Sequence, residues 1–526
     1  MSGEPWDTLN DPTAESLWWS TDNMGEAAPG VLSPLGWSVW GHVGERAARE
    51  ALFRAGALTA GERAAPDDVH DRIVRVFCGR MAMQVQFLAT VGDRMPGTSG
   101  QQVAAGIFGR VPDDLEFAPT RAQYPAVAAR LPAVALATPA RVRRLAVEAD
   151  AWWAAQTAAS ASWDRGEAVA GLRIGMQWFG RTLTLHTLCL MTCVSPVYDL
   201  LTALVRRVGV GDVGALSGSG GAEMAVVSDL WRASRGKLTL DQVTARHGFH
   251  GPAEGEISSR VWREDCSPLV ALVSRYADEP ESASPTQIER RRAESERAAR
   301  AEVLAAVPRW QRPGVAAVLD LAAKRIPMRG VGKRSFLQGI DGTRAAARRL
   351  GELLAKDGLL ADPDDAFYLT WRELMLGPPP EAKELVSLRR ARRAEYQQLV
   401  LPGSWKGTPV PIPASDTAAD VVSGIGASAG VVEGRVRVLL TPDFDAVEPD
   451  EILVSPTTDP SWSSVMFLSS ALVVDIGSAL SHAAVVAREL GLPCVVNTRT
   501  GTRDLRTGDL VRVDGTAGTV TVLERA

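Results

Sequence analysis

The sequence predicts an α+β multidomain chain: a large, mainly α-helical part followed by a smaller C-terminal domain that mixes strands with helix. Three observations carry that reading. Residues 1–400 are rich in Ala, Leu and Arg at a 3.6-residue apolar period, which marks amphipathic helices. Residues 401–423 are dense in Pro, Gly and small polar side chains and read as a linker. Within 424–526 the run Ala471-Leu472-Val473-Val474 reads as a buried strand, with a tight turn from Gly477 to Leu480.

The bulk numbers narrow the class. At 526 residues the chain is long enough for two or more domains with large cores. Its 46% hydrophobic and 23% charged content is that of a soluble globular protein. A net charge of −5, without a basic stripe interleaved with aromatics, argues against nucleic acid as a partner. Five cysteines without pairing arithmetic, and a polar, acidic start over residues 1–10, point to the cytoplasm.

Along the helical part, 140–160, 287–306 and 343–360 are the clearest helices. Asp67, Asp68 and Asp71 follow Pro66 and read as a helix start, where acidic residues are favoured, rather than as a metal motif. Cys189 and Cys193 lie one helical turn apart in an apolar run and read as core. That run, 182–197, is too polar for a membrane span and is interrupted by Pro196, so a buried helix and no membrane partner are expected. The charge-laced segment 288–297 reads as a solvated helix face. Trp18, Trp19, Trp37 and Trp40 read as core, although a helical domain so rich in Trp and Met leaves room for a bulky apolar ligand.

Two stretches offer further chemistry. His247 and His250, followed by Glu254 and Glu256, place two imidazoles and two carboxylates in a glycine-rich segment, as a hydrogen-bonded turn or as a base for a hydroxyl. Lys333, with Arg329 and Arg334, reads equally as a phosphoryl-neutralising group or as surface charge.

The most informative residues come last. Ser481 is an N-cap residue, residues 483–490 form a helix, and Gly491 and Pro493 stop it. His482 therefore falls in the first helical turn, where free backbone N–H groups and the positive end of the dipole favour an anion. An imidazole is partly neutral at physiological pH and can attack phosphorus, and the helix start would then hold the phosphoryl group.

From Gly424 to Val522 the chain resembles the phosphohistidine swivelling domain of phosphoenolpyruvate synthases, pyruvate phosphate dikinases and rifampicin phosphotransferases. The resemblance rests on the Gly-rich opening 424–434, the strand and polar turn 452–462, the Asp475 to Pro493 segment and the closing hairpin 511–520. It implies a β/β/α fold and a phosphoryl group carried by His482, with supporting positions at Ser481, Gly477, Ser478, Thr458 and Arg488. Two positions depart from the family: Ala429 stands where proline is usual, and Ser478 where a second glycine is. Arg488 lies six residues past His482 and off its face, which favours a structural role.

The helical part resembles the substrate domain of rifampicin phosphotransferase-like enzymes at 21–35, 251–265 and 362–369. These resemblances imply three segments: an acceptor-binding domain (1–400), a linker (401–423) and the swivelling domain (424–526). The relatives place an ATP-grasp domain ahead of this region, and the sequence shows no P-loop. The expectation is a phosphotransferase component: His482 takes its group from a separate ATP-grasp protein, which holds ATP and magnesium, and passes it to a hydroxyl of a small, lipophilic metabolite. No metal is expected on this chain. The alternative is a biosynthetic enzyme or ligand-binding protein whose helical domain acts on an apolar substrate, with the swivelling domain a non-catalytic remnant.

Overall fold

The computed structural model describes residues 6–21, 24–108, 111–116, 119–211, 213–218, 221–412, 419–441, 446–448, 450–458, 462–478 and 481–526. The chain forms two compact units. The first comprises Met1–Thr192, Gly255–Ser258 and Gly332–Ala414; the second comprises Cys193–Glu254, Ser259–Val331 and Ser415–Ala526. This division differs from a helical domain running unbroken to residue 400, because most of 193–331 groups with the C-terminal sheet.

In the first unit the strands β1 (Trp18–Ser20), β2 (Val74–Phe77), β3 (Arg80–Gln84) and β4 (Ser404–Lys406) form an antiparallel sheet in the order β2-β3-β1-β4. The β2–β3 turn places Cys78 at φ 46° and Gly79 at φ 77°, the left-handed pair that suits a two-residue hairpin. β4 lies inside the expected linker and corrects that reading. Trp405 is drawn into the sheet beside Trp19 and meets Phe77 edge-on at 5.4 Å, so burial of an indole outweighs the turn propensity of its neighbours. The far end of the linker is also structured, as strand β5 (Val421–Ser423), while 413–418 lie outside the described residues.

The long helices of this unit are Pro34–Ala55, Tyr124–Ser160 and Arg165–Cys189, joined by most of Met328–Lys356. Ser33 caps the first through a bond from Gly36 N, and Gly56 ends it at φ 92°. Tryptophans build the core here. Trp40 donates from Nε1 to Gly255 O at 2.8 Å and meets Phe179 edge-on at 4.8 Å. Trp153 donates to Asp341, which is buried with Arg344 as an ion pair. The helical run Arg165–Val208 has one window of mean hydropathy 1.8, long and apolar enough to cross a membrane by length and composition, a test that core helices also pass. Of residues 182–197, all but Ser195 and Pro196 are buried or half-buried.

The second unit carries helices Ser195–Val208, Gly221–Ser234, Leu240–His247, Ser267–Asp278, Pro285–Ala306 and Arg312–Arg325. Its strands are β5, β6 (Ile425–Ser428), β7 (Val431–Val438), β8 (Ile452–Ser455), β9 (Ala471–Val474), β10 (Cys494–Val496), β11 (Leu510–Asp514) and β12 (Thr519–Glu524). They are ordered β5-β12-β11-β7-β8-β9-β10-β6. β7 through β10 run parallel and the rest pair antiparallel.

Strand alternation splits the core into two faces. Leu453, Leu472, Val474 and Cys494 face the helices Ser463–Leu468 and His482–Leu490; Ile452, Val454, Ala471 and Val473 face β11 and β12. This is the β/β/α arrangement, and the whole chain has the expected α+β multidomain layout. The segment 288–297 is mostly exposed, as expected of a solvated helix face; Ile288 is buried there, and Arg292 pairs with Glu489 at 2.7 Å with 13% and 1% of the side chains exposed.

Candidate active site

His482 is the first residue of the helix His482–Leu490, and Gly491 ends that helix at φ 73°. Ser481 is the N-cap at φ −63°, ψ 166°, and its hydroxyl accepts from Ala484 N at 3.3 Å. The entry turn is closed by Ser481 N donating to Ser478 O at 2.9 Å. A Cβ at Gly477 would stand 3.1 Å from Ser481 Oγ and 3.2 Å from Val496 Cβ, so glycine there lets the turn approach β10. Ala479 and Leu480 lie outside the described residues, as do 459–461 of the polar turn after β8. Thr458 opens that turn and brings its Oγ1 to 3.1 Å from His482 Nδ1. The imidazole is thus held at one ring nitrogen and stands at a helix start, and only 4% of the residue is exposed.

One structural partner escaped the sequence reading. Asp475, at the end of β9, accepts from Thr498 Oγ1 at 2.8 Å and from Thr502 N at 3.2 Å, tying the segment after β10 to the start of the histidine turn. Burial pushes its carboxyl above the usual range, against the bonds from Thr502 and Thr498. An acid at a strand end, two residues before a glycine, was the available signal.

Residues 447–518 match the family described as PEP-utilising enzyme, mobile domain. This part of the chain is similar to that mobile domain. Residues 237–330, in the helices that share its unit, match the rifampicin phosphotransferase fourth domain. An uncharacterised protein of Mycobacterium tuberculosis is 34% identical over 53% of this chain and 30% of its own length. The rifampicin phosphotransferase of Streptomyces sviceus is 36% identical over 33% of this chain and 20% of its own. The prodigiosin synthesizing transferase PigC of Serratia marcescens is 29% identical over 52% of this chain and 32% of its own. The chain spans a third or less of the length of each of these relatives.

Around the mobile domain the remaining candidates sort clearly. Arg488 donates from Nε to Ala427 O at 2.7 Å and fastens the histidine helix to β6, in keeping with a structural role. His250 Nδ1 lies 2.7 Å from Glu254 Oε2, a buried imidazole–carboxylate dyad. His247 Nε2 lies 3.1 Å from Asp229, which also receives Arg246. Burial alone would raise the Asp229 carboxyl, but the bonds from Arg246 and His247 hold it below its usual range.

Glu256 does not join these groups and corrects the expected four-residue cluster. It belongs to the first unit, where it accepts from Ser33 N and Oγ at the start of helix Pro34–Ala55 and from Ser258 N. Unsatisfied donors at a helix start draw a carboxylate strongly. Lys333 is half-buried on helix Met328–Lys356, also in the first unit. Among the described residues, no three His, Cys, Asp or Glu side chains gather as a metal site.

Proposed function

We propose that this chain is the phosphoryl-carrying component of a PEP-utilising-type phosphotransferase, with His482 as the carrier. The observation that supports it most is the Thr458–His482 contact at a capped helix start. If Nδ1–H donates to the Thr458 hydroxyl, the ring holds the tautomer whose lone pair is on Nε2, which makes Nε2 the attacking atom. In the first step an N–P bond forms and the P–O bond to the leaving group breaks, the oxygen keeping the electron pair. In the second step an acceptor hydroxyl oxygen bonds to phosphorus, the N–P bond breaks, and the imidazole recovers its lone pair. The hydroxyl proton passes to a base, for which the His250–Glu254 dyad is the best-built candidate. The helix start stabilises the phosphoryl charge in between.

By resemblance, the donor is the β-phosphoryl of ATP, bound with magnesium on a separate ATP-grasp protein. Magnesium there would neutralise the charge of the nucleotide phosphates. The acceptor is a small apolar metabolite; the likeness to a prodigiosin synthesizing transferase supports a setting in secondary metabolism. The test is incubation with β-labelled ATP and candidate ATP-grasp proteins. Acid-labile label on the wild type and none on His482→Ala is expected. Label that persists in His482→Ala, or unchanged pathway activity in that variant, overturns the carrier role and favours a non-catalytic mobile domain.

A further inference from the structure

The first unit contains a cleft of about 1120 Å³ whose two halves differ in chemistry. Its floor is apolar: Val43, Ala47, Leu145, Met176 and Leu185 are buried there, and Trp371 is half-buried. Its rim is cationic, with seven arginines against two glutamates. Glu50 engages Arg54 at 2.7 Å and Arg63 at 2.6 Å, and Glu148 engages Arg181 at 3.2 Å. Arg46, Arg141, Arg144 and Arg173 are left with no ion pair or hydrogen bond among the described residues.

Their placement follows from helix geometry. Arg141 and Arg144 lie three apart on helix Tyr124–Ser160; Arg173 and Arg181 lie two turns apart on helix Arg165–Cys189. Four such guanidiniums on one cleft, in a chain of net charge −5, set up a local positive potential that an anion would relieve. His42 lines the same cleft. Its ring lies 4.9 Å from Trp371, and burial, then the charges of Arg46, Arg372 and Arg72, push its pKa down to about 4. It therefore adds a neutral hydrogen-bonding group and no further charge to the cleft at neutral pH.

We propose that this cleft binds an amphiphilic anion: an apolar ring system seated on the Met176–Leu185 floor, with a carboxylate or phosphate group held by Arg46, Arg141, Arg144 and Arg173. The apolar part is desolvated against the floor, while the planar guanidiniums suit a bidentate oxyanion. Taking this anion, an apolar ring system with one charged group, as the phosphoryl acceptor rests on the phosphotransferase reading; the binding itself does not.

The test is calorimetric titration of the full chain with 2-naphthoate, 2-naphthyl phosphate, 2-naphthamide, 2-naphthylmethylammonium and inorganic phosphate. The two naphthyl anions are expected to bind, and the neutral and cationic analogues and inorganic phosphate to bind about tenfold more weakly or worse. The order of the two anions distinguishes a carboxylate from a phosphate ligand. Arg141→Glu/Arg144→Glu, which changes exposed residues only, should lose about tenfold in anion affinity with its circular dichroism unchanged. Equal affinity for naphthamide and naphthoate, phosphate binding as tightly as naphthyl phosphate, or an unaffected double variant overturns the proposal. His482→Ala should bind the anions as the wild type does. Binding without label on His482 removes the relay and keeps the cleft; label on His482 without binding does the reverse.

Discussion

The histidine niche of the mobile domain and the arginine cleft of the first unit solve opposite problems. The niche is small and closed and is assembled almost entirely from one strand–turn–helix segment, with Thr458 as its outside contact. The cleft is open and draws its lining from helices that begin at Pro34, Tyr124, Arg165 and Trp371. One keeps a reactive group buried at a capped helix start, whereas the other leaves four cations without an ion pair or hydrogen bond among the described residues. A locally built site tolerates little change, because its cap and its histidine contact are each set by a single side chain. The dispersed site tolerates single changes and fails only when its summed charge is altered.

The largest break in that contrast should come from Arg292, which ties helix Pro285–Ala306 to the histidine helix. Arg292→Ala leaves the buried Glu489 carboxylate without this guanidinium and should lower unfolding stability by about 3 kcal/mol, read from chemical denaturation. Arg144→Ala, on the cleft rim, should change stability by less than about 0.5 kcal/mol, because no pair is lost there. If the two variants are equally stable, the distinction between fixed and uncompensated charge fails.

The niche was legible in the sequence because it is local. The cap at Ser481, the stop at Gly491 and the strand Ala471–Val474 are each set by a few adjacent residues, and each is observed where expected. Misreadings arose where distant partners decide the outcome. Glu256 reads as one of a cluster in sequence, but the unsatisfied start of helix Pro34–Ala55 recruits it. Trp405 sits among turn-forming residues and is buried by Trp19 and Phe77. The cleft was invisible for the same reason: Arg46, Arg141 and Arg173 share no spacing that a sequence can display.

Two smaller effects sharpen the picture of the niche. Thr458→Val removes the hydroxyl at Nδ1 but keeps the shape, and should slow phosphorylation of His482 about fivefold, since one oriented hydrogen bond is worth about 1 kcal/mol. A rate equal to wild type would mean that the contact does not set the tautomer. Ser481→Ala should cost about 1 kcal/mol in stability through loss of the cap to Ala484 N. Thr458→Val tests orientation, whereas Ser481→Ala tests the helix start itself.

The last effect belongs to the cleft and concerns protons. In the unfolded chain the His42 imidazole titrates near 6.5, and in the folded chain at about 4, because burial and three arginines oppose its charge. Between these values the unfolded state holds the proton and the folded state does not, so stability falls as pH drops from 6.5 towards 4 and levels off on either side. His42→Gln should flatten that slope, as followed by denaturation at a series of pH values. An anion bound at the rim offsets part of the positive field, so 2-naphthyl phosphate should raise the His42 pKa in an NMR titration. A pKa that stays put or falls on adding the anion would mean that the ligand does not meet these arginines, and the contrast between a compensated niche and an uncompensated cleft would lose its second half.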